Sequence, residues 1–463
     1  MSELHRSERK EKKRRSRAKG KQKTFKILVG LLSGALLLFL VFLLAPGRVQ
    51  KGAAVPDDDS LFYIAPIVND LTYGNLEDLK ERLGEGNSLV KIGFSASVFY
   101  MSETKGKKAD FKFEPTELKR ILNLAERTNL PVVIIFNGGP WGGSVERDPD
   151  RNLILQLERD PMNVQWRSDG TVPRDNEAPV PGMGRILTYN NLNKTVHRYK
   201  ERNFRAVAKI IAEFYEEHPD LIIGITTDPE IFMSPFYDAD YNPETVMEFR
   251  EYEKIKFGGD LAAFNLSIGT SYASWDELNP PRPPAEPVAG NGRGEEWTSF
   301  KIALVDAEVQ REVDWLREAG LPAGKIYTHQ TIRTDNPYWS RYVLASPLET
   351  ASVIGGSIGI TTLQELSFDH KLLVKIKKWS PNWGIFEFNP SLPYHNPDKK
   401  GYNREDHYLQ TLRGLHFAYD HGAHIISPYT WEREHREPHY RIRGTAYETA
   451  IKDFMKELDK NEE

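Results

Sequence analysis

Glu230 and Glu387 each stand at the end of a short apolar run, LIIGITTDPE at 221–230 and WGIFEFNP at 383–390. Two carboxyl groups on opposite sides of an acetal carbon can cleave a glycosidic bond. One protonates the leaving oxygen, and the other attacks the carbon or activates water. The charge of one raises the proton affinity of the other, so an acid and a base coexist at one pH. Separations of about 5–5.5 Å give retention and about 6.5–9.5 Å give inversion. A single Glu at a strand end is as easily a solvated or salt-bridged residue; two at facing positions of one repeating pattern read as a pair. Glu365, just past another apolar run, is the competing carboxylate. Asn137, Asp228, His329, Gln330 and Trp431 also close apolar runs, and Trp141 lies in a loop beside them. The amides, the carboxylate and the imidazole are candidates to hold sugar hydroxyls, and an indole suits the apolar face of a pyranose. Trp166, Trp275 and Trp297, on long connections, are candidates for further subsites.

Eight apolar runs position these residues: 61–68, 89–96, 131–139, 221–230, 325–332, 356–363, 383–390 and 423–431. Helical periodicity lies between most of them. It is clearest at 195–217, at the stretch capped by Asn242 with Pro243 in its first turn, at 301–319 and at 405–420. Short, nearly continuous apolar strands suit a parallel sheet buried on both faces. Eight strand–helix units in series predict a (β/α)8 TIM barrel over 61–463, with Glu230 ending strand four and Glu387 ending strand seven. A doubly wound sheet is the alternative, but no G-x-G-x-x-G or Walker spacing occurs. Two insertions, about 139–194 and 231–300, follow strands three and four and so fall at the C-terminal mouth, where barrels place active sites.

Composition narrows the function further. Residues 1–26 carry twelve Lys/Arg against three Glu, leaving 50 basic and 63 acidic residues beyond them. An acidic body argues against a nucleic-acid partner. The absence of cysteine excludes disulfides, thiolate zinc sites and cysteine nucleophiles. No histidine spacing resembles a metal motif, and no cofactor is expected. The uncharged stretch from Ile27 to Ala45 would span roughly 28 Å as a helix, close to the hydrocarbon core. With the basic flank held inside, the expected order is a cytoplasmic tail (1–26), a single transmembrane helix (27–46), a linker (47–60) and an extracytoplasmic barrel, most simply in a bacterial envelope.

Four stretches carry a family resemblance: HPDLIIGITTDPE, YNPETVMEFREYEKIKFGG, FEFNP and LRGLHFAYDHGAHIISPYTW. Together they resemble clan A of the retaining glycoside hydrolases, and most of all its family 42 β-galactosidase group. The resemblance implies that Glu230 is the acid/base, Glu387 the nucleophile and Trp431 a sugar-stacking residue. Two positions depart from the clan pattern. Pro229, preceded by Asp228, stands where the clan has Asn, and KIGFSASVFY lacks the usual strand-two Arg. Asp228 then either takes over a hydroxyl contact or is itself the acid. The expected protein is a membrane-anchored enzyme acting on a β-linked oligo- or polysaccharide. The alternative is a non-catalytic glycan-binding barrel in an envelope assembly.

Overall fold

A computed structural model describes residues 61–106, 110–139, 152–172, 189–231, 239–283, 286, 292–331, 353–362, 376–377, 380–389, 400–432 and 441–462. The basic tail, the apolar run 27–46, the linker, Trp141 and Glu365 lie outside them. Among the described residues no helix is long and apolar enough to cross a membrane.

The eight expected strands are present: β1 (Phe62–Ile64), β2 (Val90–Ile92 and Phe94–Val98), β3 (Val132–Phe136), β4 (Ile222–Thr226), β5 (Ile326–Tyr327 and Gln330–Thr331), β6 (Ile358–Thr362), β7 (Trp383–Phe388) and β8 (Ala423–Pro428). Two strands come in two pieces, and those breaks close the ring. The first half of β2 pairs with β1 and the second half with β3. The first half of β5 pairs with β4 and the second with β6. With β3–β4, β6–β7, β7–β8 and β8–β1 also parallel, every strand has a neighbour on each side. Gly93 marks the break in β2. A Cβ there would lie 2.4 Å from the Pro131 carbonyl oxygen, so only glycine lets the two backbones approach.

Alternation along the strands divides the apolar side chains into two cores. Val132, Ile134, Phe136, Ile385 and Phe388 pack outward with helical residues such as Leu79, Ile121, Val207 and Leu415. Tyr63, Val133, Ile135, Ile223, Tyr327, Phe386 and Ile425 fill the barrel interior. The longer helices among the described residues are α1 (Tyr73–Leu83), α2 (Thr116–Thr128), α3 (Lys194–Glu217), α4 (Pro243–Lys256), α5 (Leu261–Ile268), α6 (Gly292–Glu318), α7 (Arg404–Asp420) and α8 (Ala446–Glu462). The Asn242 side chain caps α4, accepting from Glu244 N–H, with Pro243 in the first turn as expected.

The insertion after β4 holds more helix than the stretch capped by Asn242 that the sequence announces. It contains α5 and lengthens α6 back to Gly292, because these helices bury a small core of their own. That core gathers Tyr241, Phe249, Phe264, Leu278, Trp297 and Phe300. Trp297 is not a subsite residue: it is fully buried, with its ring 5.1 Å from Phe249 and 5.5 Å from Phe300. Trp166 and Trp275 pack against the same core.

Candidate active site

Both glutamates lie at the C-terminal ends of their strands, and in each case a break in strand regularity sets the side chain. In β7, Ile385 and Phe388 both face the outer core, where strict alternation allows only one residue between them. The pairing with β6 slips by one there, so Thr361 opposes Glu387 while Ile360 opposes Ile385. This bulge turns Phe386 and Glu387 inward in succession, a common device for re-aiming a side chain beside an active site. Glu387 is half-buried. Beyond β4, Glu230 is buried and takes the left-handed backbone conformation, with φ at +54°. Its N–H donates to the His329 carbonyl at 2.7 Å, tying the end of β4 to the gap in β5.

The same mouth holds buried polar atoms with no hydrogen-bond partner among the described residues. They are both ring nitrogens of His329, Asn137 Oδ1 and Thr361 Oγ1. A buried polar atom left unpaired costs about 1–3 kcal/mol, so such a set points to a polar ligand or water as the missing partner. Gln330 is also buried at the end of β5. Thr361 was not a sequence candidate; its place opposite Glu387 depends on the bulge, which periodicity does not reveal.

His329 illustrates the cost. Its ring lies 5.8 Å from that of Phe386, and burial drives its pKa down to about 3. The imidazole is therefore neutral at working pH, offering one donor and one acceptor nitrogen. An unfolded histidine titrates near 6.5, so below that pH the unfolded chain binds a proton that the folded chain refuses. Stability should fall as pH drops from about 6.5 toward about 3, at up to ~1.4 kcal/mol per unit. His329→Gln should flatten that part of the profile. Urea midpoints at pH 6.5 and 4.5 check it, and an unchanged slope in the variant contradicts the assignment.

Two sequence expectations need correction. Asp228 does not reach the mouth. Its side chain is fully buried between the barrel and helices α3 and α6, and every direction is occupied. Asp228 accepts from Tyr100 Oη at 2.7 Å and from Gly138 N–H at 2.8 Å, and pairs with Lys200 Nζ at 3.1 Å. Its own N–H donates to Glu312 at 2.8 Å. Lys200 also meets Glu308 at 2.7 Å and Glu312 at 2.6 Å, and Arg311 pairs with Glu308. Burial and the neighbouring Asp228 push the Glu312 carboxyl well above the usual range, whereas the Lys200 and Arg311 cations hold Glu308 below it against the effect of burial. This cluster was missed, although charged residues on the apolar faces of two helices (Lys200 between Val196 and Phe204, Glu308 and Glu312 around Val309) were its visible sign. The second correction concerns Trp431. Its indole is fully buried within the strand–helix core, so neither face is open to stack on a sugar. Asn137, at the end of β3, is nine-tenths buried and faces the mouth by alternation.

Among the described residues no group of three or more His, Asp or Glu side chains could hold a metal ion.

A (β/α)8 barrel with one glutamate at the end of β4 and another at the end of β7 has the architecture of the TIM-barrel glycosidases. The chain belongs to the glycoside hydrolase family 42: the family model described as beta-galactosidase matches residues 171–456, more than half of its length. No curated protein matches the sequence. Solved structures share the fold at low identity. The catalytic domain of a beta-amylase from Paenibacillus polymyxa is 12% identical, with a TM-score of 0.56 over 85% of this chain and 98% of that one. Gan42B, a GH42 beta-galactosidase from G. stearothermophilus, is 14% identical, with a TM-score of 0.57 over 88% of this chain and 57% of that one. A beta-galactosidase from the Antarctic haloarchaeon Halorubrum lacusprofundi is 14% identical, with a TM-score of 0.58 over 86% and 58%. The chain thus spans a little over half the length of these beta-galactosidases.

Proposed function

We propose that this chain is a membrane-anchored β-glycosidase. Residues 27–46 would cross the membrane, 1–26 would remain in the cytoplasm, 47–60 would form a tether, and the barrel of 61–463 would work outside, cleaving a β-linked oligo- or polysaccharide. Glu387 attacks the anomeric carbon as the leaving oxygen takes a proton from Glu230. Glu230 then removes a proton from the water that releases the sugar, giving overall retention. The observation that carries this reading is the position of the two glutamates at the ends of β4 and β7 in a chain of family 42. The unpartnered polar atoms at the same mouth support it, since a sugar ring presents donors and acceptors on every side. The beta-galactosidase description of the family makes β-galactosides the first substrates to try.

NMR of the first sugar released by the full-length protein in detergent tests the mechanism. A β-anomer appearing before mutarotation is the expected result, and an α-anomer overturns retention. Protease accessibility of the barrel in intact cells against lysed cells tests the topology.

One observation favours the second reading, a glycan-binding barrel without catalysis. The β2 end carries serines where the clan has Arg, and Ser95 is already engaged by the Ala65 carbonyl and Ser427. Saturable glycan binding with no turnover across aryl β-glycosides would decide for it.

A further inference from the structure

Glu230 holds a backbone conformation that few residues other than glycine adopt. Such strain persists only where the surroundings over-determine it. Here the turn from Asp228 to Glu230 is clamped at both ends. At one end, Glu230 N–H is tied to the His329 carbonyl. At the other, Asp228 is held through its main chain by Glu312 and through its carboxylate by Tyr100, Gly138 and Lys200. Pro229, between them, restricts its own φ to near −65°. The clamp is itself rigid. Lys200 of α3 is sealed among three carboxylates, Glu308 and Glu312 of α6 and Asp228 beyond β4, and the Tyr100 ring occupies the space where a Cβ on Gly138 would lie. None of these groups is open to a substrate.

We propose that the buried Lys200–Asp228–Glu312 cluster, with Tyr100, is a positioning device for Glu230, fixing the end of β4 in the turn that aims the acid carboxyl at the leaving oxygen. The inference rests on the reading of Glu230 as acid/base and assigns it support from behind the strand. These are positioning residues, acting through the backbone of one turn. Their loss should therefore impair proton delivery more than sugar binding or attack by Glu387.

Leaving-group dependence separates these effects. A methyl β-galactoside needs the proton in its first step, whereas a dinitrophenyl β-galactoside loses a stable anion without one. In the full-length protein, Glu312→Ala and Tyr100→Phe should each lower kcat/KM on the methyl glycoside by about 10–100-fold. On the dinitrophenyl glycoside the fall should stay within about threefold. Glu312→Gln keeps a carbonyl oxygen for Asp228 N–H but sets its amide NH2 against Lys200, so it should recover most, not all, of the loss on the methyl glycoside. Tyr100→Phe keeps its ring, so it carries the test if Glu312→Ala does not fold. Equal falls on both substrates, or no fall on the methyl glycoside, overturn the proposal while leaving Glu230 in its role. A wild-type protein inactive on both glycosides, or a Glu230→Gln variant as active as wild type on the methyl glycoside, removes the acid/base reading and this inference with it.

Discussion

Glu387→Gln should abolish turnover of aryl β-galactosides, with kcat falling by at least ~10⁴-fold, the scale seen when a nucleophile is removed from an enzyme whose groups act as a unit. Gln fills the same space and keeps an acceptor oxygen, so the β7 bulge and the pairing of Thr361 opposite residue 387 should survive. The loss would then report chemistry rather than folding. A sharper version uses Glu387→Ala with azide. The small anion enters from the face the carboxylate occupied, attacks the anomeric carbon of a dinitrophenyl β-galactoside and leaves an α-galactosyl azide. Glu230→Ala with azide should instead give a β-azide, because the glycosyl-enzyme still forms on Glu387 and azide replaces water in the second step. Opposite anomers from the two variants would assign both roles at once. If Glu387→Gln keeps wild-type kcat, the carboxylate does no chemistry and the barrel is better read as a glycan binder.

The sequence made some of this legible and hid the rest for physical reasons. Eight parallel strands are readable because each is buried on both faces and so appears as a short apolar run. Asn242 and Pro243 announce α4 through local capping chemistry alone. The site depends on departures from regularity, which carry no periodic signal. The end of β4 leaves its alternation, so Asp228 turns toward Lys200 instead of the sugar, and two residues later Glu230 is in a left-handed conformation. The bulge in β7 aims Glu387, and nothing in WGIFEFNP distinguishes it from a regular strand. Aromatic residues misled in the opposite sense. Trp297 and Trp431 are flat and amphipathic enough for sugar stacking, but an isolated sequence cannot tell a mouth from a second core, and both are buried.

Lys200→Met should destabilise the fold by about 3–5 kcal/mol, because removing one partner of a buried ion pair leaves uncompensated charge behind. Lys200 is 3% exposed and is the one cation within 3.1 Å of all three of Asp228, Glu308 and Glu312 among the described residues. Arg311 reaches only Glu308, from the solvent side. The dependence on pH follows from the sign of each shift. Lys200 has its pKa raised well above the ordinary value, so its contribution is fully present at every pH below that of an unfolded lysine. Glu308, held below the usual carboxylate value, contributes stability that is lost only as pH falls through its folded pKa. Without Lys200, Glu308 loses the stronger of the two cations that hold its pKa down, and Glu312, already raised, is pushed up further. The folded variant then binds more protons than its unfolded chain, so it regains stability as pH falls toward the ordinary carboxylate range. The deficit relative to wild type should therefore shrink between pH 7.5 and pH 5, and Lys200→Met combined with Glu308→Gln and Glu312→Gln should recover part of it at pH 7.5. Urea midpoints for the three proteins at both values are the measurement. A deficit that widens as pH falls would mean that the missing methylenes of Lys200, not its charge, carry the effect.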